Sequence, residues 1–340
     1  AAKVGIMADI NHIRVVALLP VLVVPVLFLS SCDLFSDGEV TPSPDPFEWG
    51  SAMAVAGNKI FISDGLASPD GAILLMDLDA AGFQTVVDGL DNPTCLITDG
   101  EYVYWVEDNP DGAGALRKAV AEGGHGTAID MAVGLDSPYT LVLNSQYVFF
   151  TDKVDADNTA INRIPRAGGD VVTLTTLRAD YVNLAADEQW VYFTAPYDNP
   201  NGYIARVPVE GGATETVVGG LGAPVSLALR AGKLCWVEIM GGEVACIPDA
   251  DNDRTPYYLT TDESVSFGPC QGMLLLHEDG TYWISSVSGT QDGVRVASRG
   301  VEPVTLVKSD AFGTITGMGF VDETLYFIEL DGLYRVTSGE

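Results

Sequence analysis

Histidine is almost missing from this chain, with three in 340 residues. His12 precedes the first long apolar run, His125 falls in a turn, and His277 stands near the end of a strand-like segment. None neighbours a serine or cysteine in a nucleophile setting and no G-x-S-x-G occurs, which excludes the nucleophile-elbow hydrolases. Positive charge is also scarce. Only 17 Lys and Arg face 47 Asp and Glu, a formal charge of −30. A chain this acidic repels phosphate backbones and anionic headgroups, so nucleic acid is excluded as a partner. There is no C-x-x-C pair and no Cys/His cluster, which argues against structural zinc.

What is present begins with one apolar run. Arg14 is followed by fifteen apolar residues, Val15 to Leu29, and then "SSC". The run has the length of a signal-peptide h-region and is short for a membrane span, and Pro20 and Pro25 weaken a spanning helix. Met7 would open a conventional n-region, "MADINHIR". The stretch "LSSC" resembles the lipobox of bacterial lipoproteins, which implies lipidation of Cys32 as the mature first residue. Ordinary secretion with cleavage near Ser31 is the alternative. Asp33 resembles an inner-membrane retention signal of some bacteria. Residues 1–31 thus read as a signal peptide and 32–49 as an acidic, Pro-rich tether. Residues 50–340 form the folded domain, on a bacterial envelope and anchored through lipid.

That domain is a repeat. Aromatic segments start at residues 59 ("KIFISDG"), 102 ("YVYWVED"), 147 ("YVFFTDK"), 190 ("WVYFTAP"), 233 ("KLCWVEI"), 281 ("TYWISSV") and 324 ("TLYFIEL"). The steps between them are 43, 45, 43, 43, 48 and 43 residues. Each copy supplies four short strand patterns: a "P-x-x-L"-like strand, the aromatic strand, a third strand such as "INRIPRAGG", and a fourth such as "TETVVGGL". Four strands per period of about 40–50 residues specify a propeller blade, so the fold expected is all-β, a seven-bladed β-propeller of four-stranded antiparallel blades. The second strand is apolar on both faces, as a strand between two neighbouring blades must be. The repeats are similar to YWTD-type and NHL-type propellers and to repeats of bacterial lipoproteins of unassigned function. This resemblance spans residues 50–340 and implies a fold rather than a chemistry. The chain stops after the third strand of the last copy. Pro42, Pro44 and Pro46 argue against an N-terminal closing strand, leaving an unconventional closure or a three-stranded final blade.

Four cysteines follow Cys32. Cys235 and Cys246 fall on the second and third strands of the fifth copy, and the register that pairs Glu238 with Glu243 sets them opposite. A cross-strand disulfide is expected there, against the alternative of two buried free thiols. Cys95 and Cys270 are expected too far round the ring to bridge.

Propeller hydrolases and lyases, as a family resemblance would imply, hold a metal at the centre with inner-strand carboxylates. Here the inner-strand positions are Cys95, Thr140, Asn183, Ser226, Met273 and Met318, with Ile97, Val142, Ala185, Ala228, Leu275 and Phe320 two residues on; neither ring carries a carboxylate. "DADND" at 249–253 imitates an EF-hand start, but Arg254 and Thr260 replace the required Gly and Glu, so it is a turn. The loops joining strand two to three and strand four to the next strand one emerge on one face and are rich in Asp. Asp91, Asp136, Asp180, Asp262 and Asp310 lie just before inner strands, with Lys153 the one cation among these loops. The function expected is a membrane-anchored, non-catalytic binding or scaffold propeller. Its acidic face meets a protein or other envelope component, or cations, with Ca2+ the candidate and no cofactor required. The alternative is a metal-dependent hydrolase or lyase, lactonase-like, with loop-borne ligands.

Overall fold

The computed structural model describes residues 39–42, 50–64, 71–80, 82–108, 114–196, 202–261, 273–287, 291–308, 315–329 and 332–337. Cys32, Asp262 and Asp310 lie outside these residues. No helix is long and apolar enough to cross a membrane among the described residues.

Seven four-stranded antiparallel sheets make up the fold. Six are consecutive meanders. The inner strands of blades 1 to 6 are Gly50–Ala56, Pro93–Thr98, Pro138–Leu143, Leu184–Ala186, Pro224–Arg230 and Leu274–Leu276. In blade 2 the sequence steps outward through Tyr102–Glu107 and Gly114–Val120 to Ile129–Leu135, and the others follow suit. This order places the inner-to-second and third-to-outer turns on one side, termed the lower face. The second-to-third loops and the links to the next blade lie on the other, the upper face.

The seventh blade corrects the expectation about closure. Its inner strand is Gly317–Val321, and its outer strand is supplied by Glu39–Pro42, which pairs antiparallel with Gly332–Thr337. Val40 lies opposite Val336 and Pro42 opposite Tyr334. The prolines misled because a missing N–H matters only where a ladder bond is needed. Pro42 is the last residue of an edge strand, where the loss is least. The strand also lies within the segment read as tether.

The blades adhere through their second strands. Val103, Tyr104, Trp105 and Val106 are at most 1 % exposed, and Trp105 packs in one cluster with Phe61, Ile73 and Val86 of blade 1. Burying a side chain of this size contributes about 1.5–3 kcal/mol. The seams carry a second device. Gly71 and Gly114 open third strands, and a Cβ on Gly71 would meet Pro93 Cδ at 2.6 Å, while one on Gly114 would meet Pro138 Cδ at 2.6 Å and the Leu135 carbonyl at 3.1 Å. Gly202 packs on Pro224 in the same way. Each proline begins the next blade's inner strand. Blade 4 has Tyr181 at this repeat position, and there the third strand of blade 3 opens on Thr159, whose hydroxyl donates to the Ala179 carbonyl at 2.7 Å. Gly114→Ala is therefore expected to cost about 1–2 kcal/mol by overpacking. Thr159→Ala, at a seam without the proline, removes a hydrogen bond and creates no clash; chemical denaturation of the two variants separates these effects.

The inner strands bulge. Where the second strand offers a threonine, its hydroxyl takes the free N–H: Thr140 N donates to Thr151 Oγ1 at 3.0 Å and Asn183 N to Thr194 Oγ1 at 2.9 Å. Where valine stands there, at Val106 and Val237, the bulge residue turns left-handed instead, Cys95 at φ 49° and Ser226 at φ 50°.

Candidate interaction face

Cations concentrate at the lower face. In blades 2, 3 and 4 the third strand places Lys118, Arg163 and Arg206 opposite the aromatics Tyr104, Phe149 and Tyr192. Each cation also sits over the ring that starts its second strand: Lys118 4.5 Å from the Tyr102 centroid, Arg163 4.5 Å from Tyr147, Arg206 4.0 Å from Trp190. Each then reaches to the next blade. Lys118 Nζ donates to the Arg166 carbonyl at 2.5 Å, Arg163 to the Val209 carbonyl at 2.7 Å, and Arg206 to Asp251 at 2.5 Å. Lys59 makes the corresponding bond to the Ala121 carbonyl at 3.2 Å. In blade 5 the same cross-strand position is filled by Cys235 and Cys246, which are bonded to one another with S–S 2.01 Å. Cys95 is disulfide-bonded as well, with its partner outside the described residues, where both Cys32 and Cys270 lie.

The lower-face turns repeat one motif. Asp99, Asn144 and Asp187 each accept two N–H bonds from the turn that follows, as at Glu101 N 2.9 Å and Tyr102 N 2.7 Å for Asp99. Tyr104 adds its hydroxyl to Asp99 at 2.7 Å, and Tyr282 does the same to Asp279. In blade 6 it is Asp279, two residues after His277, that takes this part. Burial opposes ionisation of Asp99, but these donors and the Arg166 guanidinium outweigh it and hold the carboxyl below its ordinary range. Burial pushes Tyr104 up to about 12. "DADND" is a turn of the same kind, with Asp249 Oδ1 accepting from Asp251 N at 2.8 Å.

Among the described residues the cations paired with upper-face acids are Arg117, Lys153 and Arg178. In blades 2, 3 and 5 the acid at the end of the second strand caps the loop that enters its own blade. Glu107 accepts from Trp105 Nε1 at 2.9 Å and from Asp91 N at 3.4 Å, and Arg117 joins it at 3.0 Å. Glu238 repeats this with Trp236 Nε1 at 3.0 Å and Gly222 N at 2.5 Å. Asp152 Oδ1 accepts from Asp136 N at 3.0 Å and Ser137 N at 2.9 Å. The signal was present in sequence, since Asp64, Glu107, Asp152, Glu238 and Glu329 occupy one repeated position, but the repeat was read for its aromatics.

The structure therefore sorts the sequence-predicted acids. Asp91 lies at the seam of blades 1 and 2, Asp136 at that of blades 2 and 3, and Asp180 between blades 3 and 4. They are not brought to a common centre, and no group of three His, Cys, Asp or Glu able to hold a metal occurs among the described residues. Asp180 is paired with Lys153 at 2.9 Å. Arg178, 3.6 Å from Asp157, is another cation on this face, so Lys153 is not the sole exception. Two carboxylates meet at Ser137, those of Asp152 and of Asp108, whose Oδ2 accepts the Ser137 hydroxyl at 3.3 Å, and the charge of Asp136 acts on Asp152 beside them. Burial lifts the Asp152 carboxyl above the usual aspartate range. The Ser137 and Asp136 N–H groups counter this, and the charges of Asp136 and Asp108 add to it. A carboxyl whose folded-state pKa is raised contributes stability below its unfolded value, and that stability is lost as pH rises through the folded one. Asp152→Asn keeps an oxygen acceptor without the charge. It is expected to raise the melting temperature at neutral pH, with the advantage vanishing as pH falls below the ordinary aspartate pKa.

Within the ring, the described inner-strand positions are apolar or small and polar: Thr140 is 1 % exposed, Asn183 5 % and Ser226 6 %. Asn183 Oδ1 accepts from Ser226 N at 3.0 Å, tying adjacent inner strands together.

No protein-family profile matches the chain, and no curated protein matches it. Solved structures do. A catalytically inactive virginiamycin B lyase from Staphylococcus aureus with quinupristin has TM-score 0.65 at 16 % identity, covering 88 % of this chain and 99 % of that one. An oligogalacturonate lyase in complex with manganese gives TM-score 0.63 at 13 % identity, covering 90 % and 99 %. A nidogen/laminin complex gives 0.52 at 16 %, covering 74 % and 92 %. At these identities the likeness shows the fold alone: the chain is a seven-bladed β-propeller whose structural neighbours include both enzymes and binding proteins.

Proposed function

We propose that this protein is a lipid-anchored component of a bacterial envelope whose propeller binds rather than catalyses, offering its acidic upper face to a cationic protein partner. The observation that carries the reading is the sorting of charge. The scarce cations latch blade to blade at the lower face, while among the described residues the upper face keeps carboxylates with Arg117, Lys153 and Arg178 as counter-charges. Like charges gathered on one face repel at a cost to stability, and a cationic partner relieves it while being steered in by the field. A nidogen/laminin complex among the structural neighbours supports protein recognition by this fold. The lyases among them support the competing reading, a metal-dependent lyase or hydrolase with ligands on loops.

The experiment is a capture from solubilised envelope with the full chain and with an Asp91→Asn, Asp136→Asn, Asp180→Asn triple variant. A basic protein retained at low salt, released at high salt and lost by the variant supports the proposal. Lactone or polysaccharide turnover that depends on added calcium or manganese would reverse it.

A further inference from the structure

The lower face shows how this chain treats an aromatic ring beside a carboxylate: it seats a cation on it. Lys118 lies over Tyr102, Arg163 over Tyr147 and Arg206 over Trp190, and Arg163 and Arg206 also bond a carboxylate, Glu210 at 2.6 Å and Asp251 at 2.5 Å. One aromatic pair at the upper face has the same surroundings and no cation. Tyr139, on the inner strand of blade 3, meets Tyr181, just before the inner strand of blade 4. Their centroids are 6.1 Å apart and their planes cross at 67°. Tyr181 is 51 % exposed although its ring is large and apolar. It is held at φ 55°, a conformation that a bulky side chain seldom adopts. Among the described residues no cation lies over either ring. Lys153, the near one, is engaged by Asp180 at 2.9 Å. The carboxylates of Asp108 and Asp152 accept from Ser137, two residues from Tyr139, and the charges of Asp108 and Asp136 both act on Asp152, with that of Asp108 acting on Tyr139 as well.

We infer that Tyr139 and Tyr181 form the seat for a lysine or arginine side chain of the protein partner, with Asp108 and Asp136 supplying its counter-charge. This rests on the acidic-face reading and adds to it a position and a chemistry. An ammonium or guanidinium gains from a ring face and from a nearby carboxylate together. The half-exposed Tyr181 ring and the charge of Asp108 near Tyr139 together select a side chain carrying a point of positive charge on an apolar stem.

The probe is hexalysine, titrated calorimetrically into the full chain in detergent at low salt. Tyr181→Asn tolerates the left-handed backbone and removes the ring; Tyr181→Phe keeps the ring. The expected result is affinity lower by about fivefold for Tyr181→Asn and unchanged for Tyr181→Phe, with the same salt dependence in all three proteins. Hexalysine bound equally by wild type and Tyr181→Asn overturns the seat while leaving the acidic face intact. No binding to wild type at all overturns the acidic-face reading with it. Calcium chloride displacing the peptide better than sodium chloride of equal ionic strength makes the place a metal site and contradicts the inference.

Discussion

Deleting Glu39–Pro42 from the full chain is expected to lower its stability by about 2–4 kcal/mol. The segment pairs residue for residue with Arg335, Val336, Thr337 and Tyr334. About four ladder bonds at roughly 0.5–1.5 kcal/mol each set the scale. Without them blade 7 keeps three strands and its third strand becomes an open edge, a template for association between chains. At roughly 2–4 °C per kcal/mol the melting midpoint should fall by about 5–15 °C. Size-exclusion chromatography should show oligomers absent from the parent. An unchanged midpoint would mean that the ring is held shut by the seam between blades 7 and 1 alone, where the Thr316 hydroxyl donates to the Gly50 carbonyl at 2.9 Å. One practical consequence follows for any soluble fragment: it must begin before Glu39.

Removing the Cys235–Cys246 bond is expected to cost about 2–3 kcal/mol, the scale for closing a short loop. The two residues are 11 apart in sequence, face each other across the central strands of blade 5, and are fully buried. The informative design is a cycle. Cys235→Ala and Cys246→Ala each break the same bond, so the double variant should be little worse than either single. Two independent buried thiols would instead give small losses that add. Denaturant titration of the four proteins under non-reducing conditions distinguishes the cases. The position makes the cost plausible from another direction. Blades 2, 3 and 4 hold this cross-strand site with an aromatic facing a cation, and blade 5 has neither, so without the bond the site is left with two small side chains.

The parts of the fold that repeat were legible. The period near 43 located every second strand, because a strand buried on both faces must be apolar in any blade. The register of blade 5 followed from pairing Glu238 with Glu243, and the structure pairs those residues. What escaped were features that no single copy displays. The closing strand sits some 290 residues from its partner and has no aromatic pattern, and its proline was weighed as if it stood in a central strand. The Gly114–Pro138 contact joins two blades, so neither residue looks unusual in its own repeat. Tyr181 stands at the repeat position where Pro93, Pro138 and Pro224 open inner strands, yet the inner strand of blade 4 begins at Leu184 and leaves Tyr181 in the loop, half exposed. Acids were visible as composition, but composition does not separate Glu107, which caps backbone N–H groups, from Asp136, which is exposed.

The central claim is that upper-face charge recognises a cationic partner. Its most direct test is the affinity of the full chain for hexalysine as a function of sodium chloride, beside the Asp91→Asn, Asp136→Asn, Asp180→Asn variant. The account predicts affinity that falls steeply with salt as the field is screened, and a variant that binds about tenfold more weakly with a shallower salt dependence. A variant with the affinity and slope of the parent would contradict it and would reduce these acids to solvated turn residues.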